Sequence, residues 1–225
     1  MIGIISAMEL EQRALTEMLV NKKEEMIAGV MYYSGVLEGI DVVICTCGVG
    51  KVNAAMHTQI LIERYHPEVI IQNGVAGSLS CDVKYFDIVI GSELVYHDMQ
   101  TFVLESFGPL EKVYYADEKL VALAKEAIQD VNADVNIHVG RIATGDLFVS
   151  EPSMKQDIAS RTNALCTEME GCAVAHTSFL NEIPFIVLRS ISDMADDSAE
   201  VDFEEFQIKA AARAVEIVLA LIRKM

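Results

Sequence analysis

Short apolar runs rich in β-branched residues alternate along this sequence with segments of helical spacing, and that alternation constrains the fold most. Residues 2–6 form the first run, and 9–19 carry helical periodicity. Residues 30–37 and 41–47 read as a hairpin pair joined through Glu38-Gly39-Ile40. Val52, Ala55, Met56, Ile60 and Leu61 fall on one broad face of a helix over 52–65. Strands follow at 68–72 and 86–90, then a helix at 118–129 and a strand at 135–143. Pro152 suits the first turn of a short helix after Ser150, where its missing N–H goes unused. A run at 164–167, a helix at 170–181, a strand at 186–192 and a helix at 203–224 complete the chain. Apolar strands separated by helices imply a largely parallel sheet covered on both faces. The expectation is an α/β fold: a single three-layer αβα domain over 1–225, its central sheet largely parallel but mixed by the hairpin. No linker, low-complexity tract or internal repeat interrupts it.

Hydrophobic residues make up 52% of the 225, ample for a buried core. The net charge of −17 argues against nucleic acid or an anionic membrane as partner, since both are polyanions. No run of about 18 apolar residues suggests a membrane-spanning helix. The start, MIGIISAMELEQR, lacks the basic flank, apolar core and cleavage site of a signal peptide. The five cysteines include no CxxC pair and no zinc-type spacing with histidine. They read as reduced core thiols of a cytoplasmic protein. No metal and no cofactor is implied.

Ligands of such sheets gather where strands end and loops lead into helices, so polar residues at those points are the candidates. Glu11 follows the first strand, in or near the first turn of a helix; the helix dipole alone accounts for an acidic residue there. Gly48-Val49-Gly50-Lys51 and Asn73-Gly74-Val75-Ala76-Gly77-Ser78 read as tight strand–helix turns. Neither is a phosphate loop, and neither completes a dinucleotide fingerprint. In Thr144-Gly145-Asp146-Leu147-Phe148-Val149 the aromatic either stacks on a flat ligand or plugs the core. Most informative are Cys166-Thr167-Glu168-Met169-Glu170-Gly171 and Leu188-Arg189-Ser190-Ile191-Ser192-Asp193. Buried carboxylates are costly unless paired or used. Arg189 as a partner of Glu168 explains one of them and leaves Glu170 and Asp193 unexplained. His97, in Tyr96-His97-Asp98, reads as structural rather than catalytic.

Taken in order, MIGIISAMELE, GVGKVNAA, NGVAGS, YHD, TGDLF, EMEGCAVAH and RSISDMAD resemble the 5′-methylthioadenosine/S-adenosylhomocysteine nucleosidases. That family belongs to the purine nucleoside phosphorylase-like superfamily. The similarity runs from Ile2 to about Phe206. It implies hydrolysis of the N-glycosidic bond of 5′-methylthioadenosine and/or S-adenosylhomocysteine, with 5′-deoxyadenosine a further substrate. The products are adenine and a 5-substituted ribose, in methionine salvage and by-product recycling. The resemblance makes Glu11 the base that activates water, and sets Glu170 on the ribose 2′- and 3′-hydroxyls with Met169 against the sugar. It makes Asp193, supported by Ser192, the acid at adenine N7. Phe148 would stack on the base, the backbone of Val149 would meet its Watson–Crick edge, and Phe203 would close the site. Met8, Val49, Val75, Ala76, Gly77 and Arg189 complete the expected binding set. The family forms homodimers in which a partner loop helps to wall the 5′-substituent.

Two departures stand out. Val75 occupies a position where the family often has serine. Residues 98–116 lack a DVTAFGY-like run and are a few residues shorter, with Phe102 and Phe107 in the region that shapes the 5′ pocket. Related phosphorylases bind phosphate through an Arg before the strand-end Gly and a Ser after it. Gln72 and Val75 stand there instead, and Glu11 would repel the anion, so water is the expected nucleophile. The alternatives are a purine nucleoside phosphorylase, an aminodeoxyfutalosine nucleosidase, or a non-catalytic nucleoside-binding module.

Overall fold

The first apolar run forms β1 (Ile2–Ser6), buried at every residue, as a strand covered on both faces must be. In this computed structural model, which describes residues 1–131 and 136–225, β1 is an interior strand of the sheet. It pairs in parallel with β4 (Ile40–Thr46) on one side and β5 (Val69–Ser78) on the other. The expected hairpin is present: β3 (Val30–Leu37) runs back along β4. Glu38 and Gly39 between them have φ of 51° and 85°, the conformation a two-residue hairpin loop demands. An unexpected strand, β2 (Val20–Ile27), pairs with the far side of β3. Its sequence, VNKKEEMI, is largely exposed and carries no apolar pattern. Charges on an edge strand discourage further pairing, and they also hide it from a search for apolar runs.

Beyond β5 the sheet closes on itself. β10 (Phe185–Asp193) pairs in parallel with β5 and antiparallel with β6 (Ile88–Tyr96). β6 pairs in parallel with β8 (Ile137–Thr144), β8 with β9 (Cys166–Glu168), and β9 returns antiparallel to β5. Short β7 (Tyr114–Tyr115) adds to β6. The sheet is therefore mixed, an open wing joined to a ring. Position 135, where the sixth expected strand began, lies outside the described residues.

Alternate residues of the strands feed two helical layers, as a side-chain period of two dictates. Ile5, Val43, Cys45 and Ile70 pack with α2 (Lys51–Tyr65) and α6 (Gly171–Leu180). Ile4, Val42, Ile44 and Ile71 pack with α4 (Glu118–Val131) and the long α7 (Ala199–Lys224). Short α3 (Thr101–Ser106) and α5 (Pro152–Thr162), with its proline in the first turn, complete the layers. Among the described residues no helix is long and apolar enough to cross a membrane.

Two corrections bear on the site. Residues 9–19 are not one helix: a 3₁₀ turn, Glu9–Glu11, is broken from α1 (Arg13–Glu17) at Gln12, whose φ is −136°. Before the break, the Glu11 carboxylate caps the N–H groups of Ala7 and Met8 and also accepts from Val75 N–H in β5. The segment 73–78 is not a turn but the second half of β5, because β10 and β9 pair along its edges as far as Gly77 and Ser78.

Candidate active site

The ends of β1, β5, β9 and β10 meet around a cavity of about 390 Å³. Glu11 is 1% exposed on its wall. Its Oε2 accepts from the N–H groups of Ala7 (3.0 Å) and Met8 (2.8 Å), and its Oε1 from Val75 N–H (3.0 Å). A carboxylate oxygen has room for two such bonds, so Oε1 keeps a lone pair for another donor. Burial pushes the Glu11 carboxyl up from its ordinary value, while the Arg189 charge and the three N–H groups pull it back in part.

Glycines in β5 make room for this chemistry. A Cβ at Gly74 would lie 2.6 Å from Glu11 Oε1 and would strike Arg189 Nη1. One at Gly77 would lie 2.5 Å from Asp193 Oδ1. Real Cβ atoms do not approach so closely, so a side chain at either position would push these groups aside; the glycines serve space here rather than turning.

Arg189 is 1% exposed and pairs with Glu168, its Nη2 on Oε2, with Glu170 Oε2 at 3.6 Å. Glu168 Oε2 also accepts from the N–H groups of Glu170 (3.0 Å) and Gly171 (2.7 Å), and its Oε1 accepts from the Thr144 hydroxyl. These bonds hold Glu170 at the start of α6, where its Oε1 accepts from Gly50 N–H at 2.8 Å. Burial first, and the Glu168 charge second, raise the Glu170 carboxyl, against the pull of Arg189 and Gly50 N–H.

Asp193 ends β10. Its Oδ2 accepts from the Ser192 hydroxyl (2.8 Å) and its Oδ1 from Ala195 N–H (2.9 Å). Burial raises its carboxyl above the ordinary range, and these two donors offset only part of that. A carboxylic acid that keeps its proton closer to neutrality is what protonation of a base requires. Across the cavity, Phe148 and Phe203 meet edge to face at 5.7 Å. Phe148 remains 42% exposed on the wall, so it does not plug the core.

The fold brings Glu11, Glu170 and Asp193 onto one cavity, with Met8, Val49, Val75, Ala76, Gly77, Phe148, Val149, Met169, Ser192 and Phe203 around them. Arg189 is not on that wall; it lies behind it and acts on the carboxylates, because a residue in the middle of a buried strand faces its neighbours before any ligand. Ala7, Leu147, Thr167 and Glu168 line the cavity and were not among the expected binding residues. Ala7, Leu147 and Glu168 each sit beside a residue that was, which was the signal available; Thr167 had no such neighbour. His97 is buried against Gly145 and does not line the cavity. Its neighbour Asp98 accepts from Lys51 Nζ (2.5 Å) and Asp146 N–H (2.9 Å), tying together the loops that carry Val49 and Phe148.

A half-closed mixed sheet between two helical layers, with carboxylates at its strand ends, defines a member of the phosphorylase superfamily, which the sequence matches over residues 1–223. The 5′-methylthioadenosine/S-adenosylhomocysteine nucleosidase of Anoxybacillus flavithermus is 37% identical, over all of this chain and 98% of that one. The crystal structure of the corresponding nucleosidase from Neisseria meningitidis, in complex with methylthio-immucillin-A, superposes with a TM-score of 0.95 at 31% identity, covering 100% and 99% of the two chains. That of Colwellia psychrerythraea, in complex with adenine, gives a TM-score of 0.95 at 33% identity, covering 99% and 94%. This chain belongs to the 5′-methylthioadenosine/S-adenosylhomocysteine nucleosidase family, whose members are N-glycosyl hydrolases.

Proposed function

We propose that this chain cleaves adenine from 5′-methylthioadenosine and S-adenosylhomocysteine with Asp193 as acid, Glu11 as base for water and Glu170 as the ribose contact. The activity itself, hydrolysis of the N-glycosidic bond of these nucleosides, is that of the family. One observation carries the hydrolytic reading. Glu11, Glu168, Glu170 and Asp193 line the cavity together with no Lys, Arg or His among its described wall residues. Phosphate would enter beside Glu11 with no cation on the wall to hold it, and Gln72, where a phosphorylase has its cation, is fully buried away from the wall.

Adenine leaves poorly as an anion. A proton from Asp193 to N7, as the bond from N9 to C1′ breaks, lets it leave neutral. Positive charge grows on the ribose as the bond lengthens, and the carboxylates of Glu170 and Glu11 favour it. The free lone pair of Glu11 Oε1 takes the proton of the water that attacks C1′. Phe148 and Phe203 supply flat apolar faces for the base.

Purified protein with 5′-methylthioadenosine is expected to release adenine and methylthioribose equally fast with and without phosphate, followed by chromatography. Adenine that appears only with phosphate, beside a sugar 1-phosphate, would make the protein a phosphorylase. Glu170→Ala is expected to slow ribonucleosides about 100-fold, on the scale of a lost charge-assisted pair of bonds, and 2′-deoxynucleosides far less. Equal losses on both would remove Glu170 from the ribose.

The enzyme is proposed to work as a homodimer in the cytoplasm, without nucleic acid. Val52 and Met56 on α2 and Phe179 on α6, helices that pack together, leave large apolar side chains exposed, which supports a covered face. The mass in solution decides it. The free state of the five cysteines fits a reducing compartment, and the charge of −17 repels nucleic acid.

A further inference from the structure

Glu11 is gripped at its backbone as well as at its carboxylate. Asn73 Nδ2 donates to the Glu11 main-chain carbonyl at 2.9 Å, and Asn73 Oδ1 accepts from the Ser6 hydroxyl at 2.8 Å. Ser6 and Asn73 are both fully buried. The carbonyl of Glu11 can only accept, so the amide nitrogen must face it and the oxygen must face Ser6.

The position of this pair matters more than its bonds. Ile5 and Gln72 are partners in the parallel pairing of β1 with β5, and Ser6 and Asn73 are the next residues along each strand. The Ser6–Asn73 bond therefore extends the pairing by a side-chain rung. Just past that rung the two strands part to form the carboxylate's cradle: Ala7 and Met8 N–H on the β1 side, Val75 N–H on the β5 side. The rung fixes the spacing between the halves, and the Asn73–Glu11 bond fixes where the side chain sets out between them.

We propose that Asn73, oriented by Ser6, is a positioning residue for hydrolysis that holds Glu11 and both halves of its N–H cradle in register for water activation. The proposal rests on Glu11 being the base. A cradle out of register gives the carboxylate weaker N–H bonds, which slows the step that uses Glu11 while leaving the base and ribose contacts intact. The other ionisable groups that interact with Glu11 are Arg189, Glu170 and Cys47, and none of them is altered by changes at Ser6 or Asn73.

Asn73→Leu, similar in shape and without donor or acceptor, is compared with Ser6→Ala and Ser6→Thr on 5′-methylthioadenosine, with thermal melting as the check on folding. The expected result is a fall in kcat of about tenfold for Asn73→Leu, the scale of one buried hydrogen bond. Ser6→Ala should fall severalfold, Ser6→Thr should stay close to the parent, and KM should hold within about twofold throughout. The acidic limb of the kcat profile should move to higher pH, because a carboxylate with weaker donors binds its proton more tightly. Should Asn73→Leu not fold, the Ser6 pair of variants carries the test alone. An unchanged kcat with the pH profile in place, a change confined to KM, or a Ser6→Thr no better than Ser6→Ala would each overturn the proposal. Glu11→Gln measured alongside separates the two readings: if it keeps the parent's kcat, Glu11 is not the base, whatever Asn73 shows.

Discussion

Asp193→Asn is expected to lower kcat for adenine release by about 10²–10⁴-fold, the usual contribution of a general acid, without lowering the melting temperature at neutral pH. The substitution keeps the shape of the side chain. Its amide oxygen still accepts from Ala195 N–H, and its nitrogen can donate to Ser192 Oγ, whose hydroxyl now donates to Asp193. What disappears is the proton for N7 and the burden of a buried charge. The Asp193 carboxyl is raised in the folded protein, so the folded state resists its ionisation. The parent therefore loses stability as pH rises from the ordinary aspartate value, about 3.9, through the raised one. The asparagine variant loses none by this route. Melting curves of the two should nearly coincide in acid and separate in the variant's favour as pH rises. Near-parental turnover would remove Asp193 as the acid, and a variant that melts lower at neutral pH would show that its charge stabilises the fold.

Arg189→Met is the larger effect on stability. One guanidinium, 1% exposed, stands against the carboxylates of Glu168, Glu170 and Glu11. Removing one partner of a buried ion pair typically costs about 3–5 kcal/mol, because the charge left behind stays uncompensated. Urea denaturation at neutral pH should read a loss of that size, and adenine release should fail with it as Glu170 loses its anchor. The sign of the pH dependence follows from the same groups. Without Arg189 the Glu11 and Glu170 carboxyls rise further, so the deficit is smallest in acid, where they are protonated, and grows as pH climbs through their folded values. A loss below about 1 kcal/mol, the range of a surface pair, or one independent of pH would show that the carboxylates do not need the guanidinium.

These two residues also mark how far the sequence could be read. Asp193 was legible because a carboxylate directly after the apolar run 186–192 has no structural excuse at that place. Arg189 was legible as a partner of Glu168, while its place behind the cavity wall was not, since a sequence does not say which side of a wall a buried side chain occupies. The 3₁₀ turn at Glu9–Glu11 was hidden for a related reason. Its helical spacing is genuine, but the Glu11 carboxylate also accepts from Val75 N–H in β5 and its main-chain carbonyl from Asn73, and those tertiary contacts are not written in the spacing.

The sequence by itself determined the layers, the hairpin at Glu38-Gly39, the helices under the strands and the acidic residues at strand ends, because periodicity, turn chemistry and the expense of burying a charge are local properties. Tertiary structure alone decided that β9 and β10 both close on β5, turning the run 73–78 from a loop into a strand with Glu11, Arg189 and Asp193 packed over Gly74 and Gly77. Pairing between distant strands depends on which edges remain free once the rest of the sheet has formed, and a pattern of residues along one strand does not record that.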